Sequence, residues 1–240
     1  MLFRSIISRF AGKLGIGTVA TRSEFAVVPT QGFNPTKVKI FREGVEATTG
    51  TKVEVAVLFD RDYRSDQEVA KEITEMGLFC NYVHIHSRKE LENFLLVPSA
   101  LERAVSQRLV EQNRRTGMKL QFTESIEAIL LSITDALKHD VQAQCLKRQH
   151  PFAKSIEKAL DDTTITSALL TAFEGRWKDL ADRLRLVPGK EVLSRLNTYL
   201  QEKWNVTVTP NTIIESMSEQ EVPEEMKEIV TSLRNFAKGC

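Results

Sequence analysis

Asp60 and Asp62 stand two residues apart at the end of the run VEVAVLFDRD. On an extended segment alternate residues point to the same side, so both carboxylates can converge on one point. The residues before them, Val53, Val55, Val57, Leu58 and Phe59, have the apolar, β-branched character of a buried parallel strand. Burying either acid would be costly, so both belong at the strand's exit, facing water, a partner cation or a metal. A hard cation such as Mg²⁺ takes one or two carboxylates and leaves its other positions to water and phosphate oxygens. The same D-x-D spacing also describes two solvated acids in a strand-to-helix loop.

Further groups could join that pair. Glu92 lies in SRKELENFLLVPSAL, close behind the next strand, and could supply a third carboxylate at the same sheet edge. Glu90 is a nearby alternative, and a surface acid on an amphipathic turn is the plainer account of either. In VPGKEVL, Lys190 follows a glycine at a helix start, where backbone N–H groups attract anions and an ammonium suits phosphate. The segment lacks the upstream glycine and the following Ser or Thr of a P-loop, so it is not an ATP site. His84 and His86 alternate at a strand's end; their spacing could serve a metal, though local hydrogen bonding is the commoner use. Basic runs at RLVEQNRRTGMK and LKRQHPFAK could hold phosphates or simply be solvated faces. No Ser-His-Asp or Cys-His arrangement can be argued.

The elements that position these residues are legible in outline. MLFRSIISRFAGKLGIG puts Leu2, Phe3, Ile6, Ile7, Phe10 and Leu14 on one helical face. That pattern fits a core-facing helix, and an acid-poor targeting peptide shares it. EFAVVP (Glu24–Pro29) reads as a short strand. GFNPTKVKIFREGVE reads as a helix with Asn34 as N-cap and Pro35 in its first turn. Ser65 or Asp66 caps a helix to about Met76 that Gly77 closes, and LFCNYVHIH (Leu78–His86) is the next strand. The alternation predicts a parallel α/β sheet over the first hundred residues. From Ser99 to Leu184 the pattern is helical throughout. Pro188-Gly189 then restart a helix, Val206–Thr209 is β-like, Asn211–Met217 is helical, and Pro223 opens a last helix with Glu224 and Glu225 in its first turn. The expected domains are an α/β core (1–98), a helical insertion (99–185) and a Lys-motif helix with a C-terminal helical segment (186–240).

Composition sets outer bounds. At 240 residues with 42% hydrophobic residues the chain can bury a core, and no apolar run approaches the ~18 residues of a membrane span. The net charge of +1 gives no overall pull on polyanions, so nucleic-acid contact must come from local patches. Cys80, Cys145 and Cys240 form no ligand spacing and fit a reducing cytoplasm.

Taken together, VAVLFDRDYRSDQEV, VHIHSRKELENFLLVPSAL, WKDLADRLRLVPGKEVLSRLN and VPEEMKEIV resemble the carboxyl-terminal half of OLD-family (overcoming lysogenization defect) ATP-dependent nucleases. The resemblance runs in order from about Leu2 to Phe236, and the D-R-D and ELENFLL pieces are its most specific parts. It implies a TOPRIM-like parallel sheet with a helical insertion, cutting or nicking DNA with two divalent ions, Mg²⁺ or Mn²⁺. Asp60 and Asp62 would match the family's D-x-D metal ligands, and Glu92 the acid of its I-E-N-Y-L-L-like stretch. Lys190 would match the lysine of its P-G-K/G-K motif, which offsets charge at the cleaved phosphate. Asp60, Asp62 and Lys190 would thus be catalytic. The resemblance departs at the start: the family's first strand ends in a glutamate, and no acid precedes Glu24. The ATPase half and its Walker motifs are also missing from this sequence. The expectation is therefore an incomplete sheet in a truncated nuclease, whether gene fragment, split subunit or decayed copy. Its implied partners are DNA, an ATPase domain or subunit, and a second copy in a homodimer, with no membrane. The alternatives are a non-catalytic remnant or subunit docking on an ATPase through a bare sheet edge, and a phosphoacceptor domain using Asp60. The long helical stretch argues against the latter.

Overall fold

In a computed structural model the described residues are 2–16, 26–30 and 32–239, with side chains described for 5–16, 26–30 and 32–238. The fold is mixed α/β, mostly helical, with a small two-stranded parallel sheet. The chain forms two compact units.

The first unit comprises the described residues of Met1–Arg61, Ser65–Ser87 and Glu224–Cys240. Its elements are α1 (Leu2–Lys13), α2 (Pro35–Thr49), β1 (Ala56–Phe59), α3 (Asp66–Gly77) and β2 (Tyr82–Ile85). The last helix of the chain, Glu224–Gly239, completes it and packs against α1. Local chemistry places the helix starts. The Asn34 side chain accepts from the Lys37 N–H ahead of Pro35, and the Ser65 hydroxyl accepts from the Glu68 N–H. On α1, Ile6, Ile7 and Phe10 are buried, as the periodicity predicts, and Ala11 joins them; Leu14 is half-buried, and the side chains of Leu2 and Phe3 lie outside the described residues.

β1 and β2 pair in parallel, with Val57 opposite Val83 and Phe59 opposite Ile85. Both strands are shorter than the sequence suggests. Before β1, the Val55 N–H donates to the Asn81 side chain, and before β2 the Cys80 N–H turns back to the Met76 carbonyl, so pairing begins only at Ala56 and Tyr82. The strand expected at Glu24–Pro29 falls partly outside the described residues, and 26–29 are exposed and unpaired as a strand. A core of Val38, Val57, Phe59, Met76, Cys80 and Ile85 fills the space between this sheet and its helices. The Phe33 and Phe59 rings meet at 4.7 Å within it.

The second unit comprises Asp62–Arg64 and Arg88–Pro223. A 3₁₀ turn (Leu91–Leu95) leads into α4 (Pro98–Thr116), α5 (Ile126–Asp135), α6 (Lys138–Ile156), α7 (Asp162–Trp177), α8 (Leu180–Leu186), α9 (Gly189–Trp204) and α10 (Pro210–Ser216). The chain's final helix is accordingly α11 (Glu224–Gly239). Helix α9 packs against α5 and the 3₁₀ turn, and α10 against α4. A buried Arg183 pins α8: its guanidinium donates to the Trp177 carbonyl and the Asp135 carboxylate and stacks over the Trp177 ring. The β-like piece Val206–Thr209 is not a strand. Val206 and Val208 are buried, but the partner of the Val208 backbone is the Asn197 side-chain amide, which donates to its carbonyl at 2.9 Å and accepts its N–H at 2.7 Å. One amide on α9 thus stands in for a neighbouring strand.

Phe59→Ala removes a buried ring from the first unit's small core and is expected to cost about 3–5 kcal/mol. Urea unfolding followed by far-UV circular dichroism should show the midpoint fall accordingly.

Candidate functional site

At the carboxyl end of the two strands the parallel register does the positioning. Phe59 and Ile85 are the last paired residues, and the His86 N–H donates to the Phe59 carbonyl, so Asp60 and His86 leave the sheet side by side. His86 Nε2 lies 2.9 Å from Asp60 Oδ1, with the imidazole only 1% exposed and the carboxylate 40% exposed. An ionised carboxylate only accepts, so Nε2 carries the proton in that bond. His84, one strand step earlier, pairs elsewhere: its Nε2 lies 3.3 Å from Glu225 on α11. The same Glu225 carboxylate accepts from the Ser87 N–H and the Ser87 hydroxyl, each at 2.5 Å. Burial pushes the Glu225 carboxyl up, but the hydrogen bonds from His84 and Ser87, with the field of His86, outweigh it and hold it at about 2. His84 and His86 therefore serve different carboxylates. In the sequence Glu225 stands out only as a first-turn acid; the fold makes it the clasp between β2 and α11.

Asp62, Glu92 and Lys190 belong to the second unit. Asp62 and Tyr63 both adopt left-handed backbone, with φ of 45° and 65°. Asp tolerates that region better than Tyr, and consecutive left-handed residues are kept only where surroundings enforce them. Those surroundings are visible. The Asp62 N–H donates to the Lys89 carbonyl, Gln149 Nε2 donates to the Tyr63 carbonyl, and the Lys89 ammonium sits 5.1 Å from the centre of the buried Tyr63 ring. Asp62 also pairs with Arg64 at 3.9 Å. Burial, with Cys145, Glu90, Asp62 and Glu191 nearby, pushes the Tyr63 hydroxyl far up, so it stays protonated.

The segments ELENFLL and VPGKEVL meet through Asn93. Its fully buried amide donates to the carbonyls of Leu184 and Val187, both at 2.7 Å, and its oxygen accepts the Glu90 N–H. The approach is so close that a Cβ at Gly189 would lie 2.7 Å from the Asn93 backbone nitrogen. Only glycine fits there, which gives the P-G-K sequence its physical meaning. The clamp brings Glu90 Oε2 within 3.0 Å of the Lys190 N–H, so the first turn of α9 holds a carboxylate of this chain where an anion was expected. It also sets Lys190 Nζ 3.7 Å from Glu92, a carboxylate 6% exposed against 59% for the ammonium. Asn93 is the residue that sequence reasoning missed. An uncharged amide amid Leu91, Phe94, Leu95 and Leu96 was the available signal.

The fold thus brings Glu92 and Lys190 together and ties Asp60 to His86. Among the described residues, no three His, Cys, Asp or Glu side chains gather as a metal-ligand set, and no helix is long and apolar enough to cross a membrane. No protein family, curated protein or solved structure matches this chain.

Gly189→Ala should force the 3₁₀ turn and α9 apart at a cost of about 1–3 kcal/mol, read as a lowered thermal midpoint. Glu225→Gln should destabilise by about 1–3 kcal/mol at neutral pH. Because the Glu225 carboxyl is held below its ordinary value of 4.5, that loss should persist above pH 4.5 and fade as pH falls toward 2. Denaturant melts of both proteins across that range check it.

Proposed function

We propose that the chain is a metal-dependent DNA endonuclease or nickase module that hydrolyses a phosphodiester bond, as its resemblance to OLD-family TOPRIM nucleases implies. The observation that carries this proposal is the Glu92–Lys190 pair at 3.7 Å. Two residues far apart in sequence, Glu92 singled out as a metal carboxylate and Lys190 for phosphate, meet at the start of α9. The donor chemistry suits a hard cation. Asp60 and Asp62 are part-exposed carboxylates, the ligand class of Mg²⁺ and Mn²⁺, which need few protein oxygens and retain water and phosphate for the rest. By that resemblance Asp60, Asp62 and Glu92 are the carboxylates that would hold the ion or ions, which would polarise the phosphate and acidify water.

The chain's own residues supply the remainder. Lys190 presents an exposed ammonium that offsets the charge developing on phosphate oxygens. Glu92 fixes that ammonium from its buried side, and Glu90 fixes the backbone at the start of α9. The basic runs on α4 and α6 offer the local positive charge that a nearly neutral chain needs to hold a DNA backbone. One observation favours a second reading, a non-catalytic subunit that docks on an ATPase: the described residues contain no three-ligand metal group.

Supercoiled plasmid separates the two. Incubated with Mg²⁺ or Mn²⁺, the protein should convert it to nicked or linear DNA, and Asp60→Ala or Asp62→Ala should abolish conversion. Lys190→Ala should slow it by about 100–1,000-fold. No conversion with either metal would reject the nuclease in favour of the docking subunit.

A further inference from the structure

We infer that His86 is a positioning residue that sets the orientation of Asp60 for divalent-cation binding, an inference that rests on the metal-dependent reading above. The fold builds this contact with care. The parallel register ends at Phe59 and Ile85, and the His86 N–H is locked to the Phe59 carbonyl, so the imidazole's place is fixed by the sheet. The ring is 1% exposed, and its Nε2 reaches Asp60 Oδ1 at 2.9 Å while the carboxylate remains 40% exposed. A buried donor thus holds one oxygen of an acid whose side chain still reaches water.

A carboxylate at a strand's exit rotates freely about its terminal bond, and a cation must then pay the entropy of fixing it. A buried hydrogen-bond donor removes that freedom in advance and orients the ligand, which is how outer-shell partners raise metal affinity. His86 does not touch the ion in this account; it acts through Asp60. His84, two residues earlier on β2, provides the contrast. It is paired with Glu225, which Ser87 also engages, so it belongs to the clasp on α11. Mutating His84 should therefore loosen the C-terminal helix without altering cation affinity through Asp60.

Mn²⁺ binding to the whole chain, followed by the electron paramagnetic resonance signal of free Mn²⁺ without DNA, tests this. His86→Leu should weaken Mn²⁺ by about 10–100-fold. His86→Gln, whose amide nitrogen falls near the Nε2 position, should bind within about threefold of wild type. His86→Asn, whose shorter amide cannot reach Asp60, should behave like His86→Leu, and this polar pair carries the test should leucine impair folding. In an Asp60→Asn background, adding His86→Leu should cause no further loss. Equal Mn²⁺ affinity in wild type, His86→Leu and His86→Asn would overturn the positioning role while leaving the metal-dependent reading intact. So would equal weakening by Gln and Asn with native thermal melts. A wild-type chain that binds no Mn²⁺ would overturn that reading and this inference with it.

Discussion

The buried amide of Asn93 is the constraint on which the second unit's chemistry rests. A primary amide in a dry interior must satisfy two donors and an acceptor or cost several kcal/mol. Asn93 meets that demand by bonding Leu184, Val187 and Glu90. The carbonyls it captures lie at the end of α8, so the 3₁₀ turn is drawn against the α8–α9 corner. Everything at the start of α9 follows: the glycine at 189, the carboxylate of Glu90 on the Lys190 N–H, and the Glu92–Lys190 contact. A charged residue as deeply placed as Glu92 is tolerable only beside a countercharge. Lys190 supplies it, and is itself left mostly in water.

In the first unit the governing constraint is different. Two short parallel strands deliver two carboxylate–histidine contacts at successive levels, Asp60 with His86 and Glu225 with His84. The second of these is structural. Its carboxylate gathers hydrogen bonds from the strand end and anchors the helix that closes the unit. The first leaves its acid accessible. Register decides which histidine meets which acid: His86 leaves the sheet beside Asp60, whereas His84, two residues earlier and paired with Leu58, meets Glu225.

The features legible in the sequence were those written in local chemistry. Asn34-Pro35, Ser65 and Pro188-Gly189 announce helix starts because capping depends on a few adjacent residues, and all three stand where the spacing puts them. The D-x-D pair follows its strand as expected. What was not legible depends on partners distant in the chain. Val206–Thr209 has strand-like residues, but its backbone is served by the Asn197 side chain, a substitution no periodicity reveals. Strand lengths were overestimated for the same reason: Val55 and Cys80 spend their N–H groups on Asn81 and on the α3 terminus. The left-handed turn at Asp62 and Tyr63 is enforced by Lys89 and Gln149, residues far along the sequence. The division into units also follows contacts, with α11 returning to join the first.

The aspartates after β1 are proposed as cation ligands. A crystal of the whole chain grown with Mn²⁺ and measured for anomalous scattering tests this most directly. The expected result is an anomalous peak at roughly 2.0–2.4 Å from carboxylate oxygens of Asp60 and Asp62. A well-ordered pair of aspartates with no peak beside either, at saturating Mn²⁺, would contradict it.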